Sequence, residues 1–164
     1  MNNLEITPPQ CILSLEPGST HADWRRHNNG GGWVYRTARV AATAYVGPDA
    51  AICGRAEVRD NAEVHGNAVV CGNAVVSGVA VVGGTAVVSG DAAVCGAAAV
   101  CEGARVLDRA VVSGDAVVSG DAVVGGDAEV GGVAWVFDNA VVCGAAKVGD
   151  YATICGDAVV CGDA

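Results

Sequence analysis

The chain has 164 residues, enough for one domain, but its apolar half is almost all Ala and Val, with 24 glycines and only 3 Trp, 3 Tyr and 1 Phe. Few large side chains are left to fill a broad globular interior, so a narrow one is implied. The net charge of -9 belongs to residues 37–164, where six basic side chains face fifteen acidic ones; such a field repels nucleic acid and anionic membrane, which argues against direct binding to either, and attracts basic partners.

Residues 1–33 stand outside any repeat and read as an N-terminal cap. Thr20 and Asp23 have the spacing of a capping box, which predicts a short helix over residues 21–27. Trp24 and Trp33 are then placed to cover whatever follows. The eight cysteines form no CxxC or CxxH pair, and neither a secretory signal nor an apolar stretch of membrane-spanning length is present. Free thiols in a reducing cytoplasm are the expectation, with no metal and no cofactor.

From Ala38 every sixth residue is alanine, through Ala164, twenty-two in all and without insertion. Two positions after each but the last stands Val or Ile, and two further on fourteen of twenty-one positions are Gly. A six-residue period scatters these alanines around a helix, whereas Ala-x-Val alternation puts both side chains on one face of a short strand. Gly followed by Asp or Asn supplies a turn. Three strand-turn units close a triangular coil of eighteen residues, and seven coils at the strand spacing make a prism about 34 Å long. Residues 34–164 are therefore an all-β solenoid with Ala and Val inside.

The recurring aliphatic residue followed four positions later by a small one, as in Val70 to Ala74 and Val112 to Ala116, resembles the hexapeptide-repeat family of left-handed parallel β-helices. The opening Gly30-Gly31-Gly32-Trp33-Val34 is similar to the solenoid start of bacterial and phage-borne members labelled as acyltransferases. Left-handedness is what the resemblance implies; the period alone does not define it. The commonest activity in that family is acyl transfer from an acetyl-CoA-type donor, by a catalytic His in a cleft between subunits. Only His65 lies in the repeat, and its stack of residues eighteen apart, from Gly47 to Cys155, offers no acid to orient it. The carbonic anhydrase branch of the fold needs three His ligands around zinc, and His21 and His27 are in the cap.

Stacking at eighteen residues gives three outward columns between Ala and Val. Two are mixed, from Arg39 to Lys147 and from Tyr45 to Thr153. The third runs Ala51, Val69, Val87, Arg105, Val123, Val141, Val159, an apolar stripe that reads as an interface, with Cys53 over Cys71 and Cys143 over Cys161 beside it. The turn column from Asp49 to Asp157 mixes carboxylates and amides as solvated corner residues. The expectation is a non-catalytic, rigid, acidic scaffold or binding surface, soluble and cytoplasmic. It forms a homodimer or homotrimer through the valine stripe, with its uncapped final coil adding a secondary contact, and its candidate partner is a basic host protein that takes the solenoid for nucleic acid.

Overall fold

A computed structural model describes residues 10–163; residues 1–9 of the expected cap, and Ala164 at the far end of the repeat, lie outside them. Each hexad contributes a two-residue strand consisting of the outward residue and the core Val or Ile, as in Val69–Val70, Val75–Val76 and Val81–Val82. Successive strands belong to different sheets. Each pairs in parallel with the strands eighteen residues away, so that Val87 lies between Val69 and Arg105, and Val88 between Val70 and Val106. Three sheets result, one of nine strands and two of seven, and they form the sides of a parallel β-solenoid of seven coils.

Hydrogen bonds run from the amide of one coil to the carbonyl seventeen residues ahead on the next, for example Val69 N–H to Ala86 O at 3.0 Å and Cys71 N–H to Val88 O at 2.9 Å. Inside, every repeat alanine and valine or isoleucine from Ala44 through Ala146 is completely buried. Side chains this small are what three sheets meeting around one axis leave room for, and a β-branched residue fits the pleat without further freedom to lose.

The corners explain the glycines. Ala56 N–H donates to Cys53 O across Gly54 and Arg55, and this four-residue turn recurs at successive corners. Its first central residue has positive φ, +63° at Gly54, which makes it a type II′ turn and favours Gly there. Ala42 and Pro48 are the two exceptions in the repeat, and Pro48 is held at negative φ by its ring. The five residues other than Gly that adopt positive φ at this position, Asp60, Glu102, Asp108, Asp138 and Asp150, are all acidic.

The cap differs from the helix predicted over residues 21–27. Only His21–Asp23 form a turn of 3-10 helix, and Trp24–Arg26 (β1) then runs antiparallel to Trp33–Tyr35 (β2). The capping-box acid is in place, since the Asp23 carboxylate accepts from Thr20 N–H at 2.8 Å and from its hydroxyl at 3.0 Å. Pairing wins over helix because a strand buries Trp24 against Tyr35, ring centroids 5.1 Å apart, and satisfies the open edge of the first solenoid strand. Between β1 and β2 the chain presses on Val46: a Cβ on Gly30 would lie 2.3 Å from its carbonyl oxygen, and one on Gly32 2.2 Å from its Cγ1. Gly30 and Gly32 are therefore required by close approach, whereas Gly31, with open space around it, is favoured by its φ of +75°. His27 is buried there, its Nε2–H donating to Ala44 O at 3.0 Å.

Candidate functional site

Four of the five acids at positive φ have a structural partner. At those four turns the acid reaches along the rod to the amide of the glycine on the next coil: Asp60 to Gly78 N–H at 3.0 Å, Glu102 to Gly120 N–H at 2.6 Å, Asp108 to Gly126 N–H at 2.9 Å, and Asp138 to Gly156 N–H at 3.0 Å. Glu16 of the cap does the same to Gly54 N–H at 2.6 Å, so the cap ends the row with the device the repeat uses internally. Charge-assisted bonds of this type offset the strain of a non-glycine residue at positive φ.

The three corners differ in charge. The one between the sheet holding Tyr45 and the sheet holding Ala51 carries Asp49, Glu102, Asp121, Asp138 and Asp157, all exposed, with no basic residue among its turn positions. Asp157 is held by Asn139, whose amide donates at 3.0 Å. The next corner mixes Arg55 and Arg109 with its acids, and Arg109 pairs with Asp127 at 2.6 Å. The last holds Asp60, Asp115 and Asp150 beside the exposed Val79 and Tyr151. The sheet face before that corner is self-neutralised, with Arg39 and Arg59 on Glu57 and Lys147 on Glu129.

The predicted interface valines do share one sheet, in register, but the chain itself occupies its N-terminal end. Ile12, Leu13 and Leu15 of the cap gather with Trp24 and Trp33 over Ala51, Cys53, Val69 and Cys71. Ala51 is fully buried and Val69 packs against this cluster, whereas Val87, Val123 and Val141, each half-buried in the sheet, and Val159, 67% exposed, lie outside it. The stacked cysteines fall as expected, with one difference: Cys143 and Cys161, Cα atoms 4.5 Å apart, are joined as a disulfide, whereas Cys53 and Cys71 are free.

A second apolar surface escaped the column reading. Trp135 (54% exposed) and Phe137 lie on the sheet that begins with Tyr45, and Tyr151 (87% exposed) stands at its edge one coil on. Four of the chain's seven aromatic residues sit in or against the cap, and these are the other three. Their confinement to residues 135–151, in a repeat otherwise built of Ala, Val and Gly, was the signal available in the sequence. Beside them an open concavity of about 280 Å³ is lined by Asp115, Val133, Asp150 and Tyr151, and a second of about 320 Å³ by Val111, Ser113, Glu129 and Lys147.

His65 is remote from both concavities. Its ring lies over Gly83 on the next coil, where a Cβ would approach Cε1 to 2.4 Å, and it makes no hydrogen bond among the described residues. No group of three or more His, Cys, Asp or Glu side chains converges among the described residues, and no helix is long and apolar enough to cross a membrane. Compared with family models, curated proteins and solved structures, the chain finds no match.

Proposed function

We propose that the chain is a non-catalytic binding rod whose acidic corner docks into a basic groove of a partner protein, as a nucleic acid strand would. The observation that carries this reading is the row Glu102, Asp121, Asp138, Asp157, in which hydrogen bonds hold Glu102, Asp138 and Asp157. Coils about 4.8 Å apart place neighbouring charges of the row within one Debye length, so their fields add. Carboxylates already fixed lose little side-chain entropy on binding, which favours a long complementary contact. A rod of this kind suits a phage-borne gene acting on a host protein. Self-association as a dimer or trimer through an open lateral face is part of the same proposal.

The test is competition. A basic protein retained from bacterial lysate on the immobilised chain is challenged with duplex DNA and with rising salt. Displacement by DNA, a steep loss of affinity with salt, and loss of retention in the Asp121→Lys, Asp157→Lys double variant are expected. Retention indifferent to salt and to both substitutions sinks the proposal. Micromolar acetyl-CoA binding abolished by His65→Ala would replace it with the acyltransferase reading.

A further inference from the structure

Cys53 and Cys71 have no part in the acidic row, and their surroundings are unlike those of the other cysteines whose side chains are described. They directly follow Ile52 and Val70, register partners on neighbouring coils, and their amides continue the ladder to Val70 O and Val88 O, both at 2.9 Å. The two thiols are coupled, a mutual hydrogen bond being the largest influence on the titration of each. Five coils further along the same sheet, Cys143 and Cys161 occupy the equivalent places after Val142 and Val160, and there the two sulfurs are bonded. The backbone register of this column thus accepts a cystine between adjacent coils.

The two pairs differ in their cover. Cys53 is buried beneath Ile12, Trp24 and Trp33, whereas Cys71 at the edge of the same cluster is half-exposed. The hydrogen bond from the Cys53 thiol brings Cys71 down to about 7, against the opposing effects of burial and of the Glu16 charge. The same bond, followed by burial, pushes Cys53 up. The half-exposed Cys71 is thus the sulfur favoured to carry the thiolate, and the buried Cys53 the one favoured to keep its proton.

We propose that Cys53 and Cys71 form an oxidation-sensitive dithiol site for small hydroperoxides, with Cys71 as the attacking sulfur, Cys53 as the resolving one, and the N-terminal cap as its cover. The Cys71 thiolate attacks one peroxide oxygen; the S–O bond forms, the O–O bond breaks, and hydroxide leaves. Cys53 then attacks the Cys71 sulfenic acid; the S–S bond forms, the S–O bond breaks, and the departing hydroxide takes the Cys53 proton as water. Two thiols are oxidised to one cystine, and hydrogen peroxide is reduced to two waters. Glu16, bonded to Gly54 N–H directly after Cys53, both fastens the cap and opposes thiolate formation.

The test uses the full chain with its free thiols reduced, hydrogen peroxide as oxidant, and iodoacetamide labelling as a function of pH. Peptide mapping after peroxide is expected to return a Cys53–Cys71 link, and Cys71 labelling in the unmodified chain to titrate near pH 7. Cys53→Ala removes the thiol donor, so the midpoint returns toward the ordinary thiol value, labelling at pH 7 slows about tenfold, and a dimedone adduct accumulates at Cys71. Glu16→Gln accelerates both labelling and linkage. A Cys71 midpoint near that of an ordinary thiol in the unmodified chain, or peroxide linkage of either cysteine to a different partner, overturns the assignment. Both of those measurements are made on the unmodified chain, so a poorly folded variant leaves the decision intact.

Discussion

Replacing Val112 by Asp tests the inward register at the middle of the rod. Val112 is completely buried and stacks between Val94 and Val130 in its sheet. The substitution loses about 1.5–3 kcal/mol of valine burial. It also places a carboxyl group where no side-chain partner exists, which costs a further 2–7 kcal/mol or so even when the group is protonated. Together these reach about 4–10 kcal/mol, comparable to the whole stability of an ordinary domain. Because each coil in a solenoid contacts only its neighbours, the loss concentrates at the two interfaces around residue 112. Circular dichroism is expected to record a melting point lower by at least about 10 °C. Hydrogen exchange should lose protection first over residues 94–130. Val111→Asp is the control: Val111 is half-buried, faces out and neighbours Glu129, so a change of about 1–2 °C is expected. A Val112→Asp chain that melts with the unmodified protein while Val111→Asp collapses would place the core one residue away from where the structure has it.

Gly90→Ala and Asp108→Gly, on the same corner, should differ sharply in denaturant titrations. The first forces a Cβ to 2.6 Å from Asp108 O at φ +77° and destabilises by about 1–3 kcal/mol, whereas the second relieves the strain of a non-glycine residue at positive φ while losing one 2.9 Å bond to Gly126 and is close to neutral. Light scattering at micromolar concentration is expected to give a dimer or trimer that Val123→Lys with Val141→Lys dissociates; dissociation by Trp135→Lys alone would move the contact to the aromatic face. The cap should loosen in acid. The Thr20 amide and hydroxyl and Arg36 hold the Asp23 carboxyl below its ordinary 3.8, so its contribution is present above that value and lost as pH falls through the lowered one. Fluorescence of Trp24 against pH reads this out, and an unchanged signal down to pH 2 would contradict it.

Period and composition were enough to read the solenoid. Alanine at every sixth position with Val or Ile two residues later admits one short strand per hexad, and Gly then admits the positive φ of a type II′ corner. The eighteen-residue coil followed from closure, and with it the stacking of Cys143 on Cys161 and of Val69 under Val87. These features were legible because in a solenoid the neighbours in space are set by a constant offset in the sequence.

Wherever the repeat is broken, that offset no longer says what lies next to what. The segment from Trp24 to Arg26 reads locally as the continuation of a helix, yet the edge of the first solenoid strand offers hydrogen bonds that a helix there would leave unmade, and the strand prevails. Within the repeat, the acids at positions 60, 102, 108 and 138 look in sequence like substitutions for Gly; the eighteen-residue offset sets a glycine of the next coil beside each, and the structure adds that the carboxylate turns along the rod to accept from its amide at 2.6–3.0 Å. The gathering of Trp135, Phe137 and Tyr151, and the cap's cover over Cys53, belong to the same class. The sequence by itself determined the strand, the turn and the coil, because each depends on residues at most eighteen apart. The tertiary structure alone decided which part of the valine face the cap removes from solvent, because that depends on where a non-repeating segment finds apolar surface to bury.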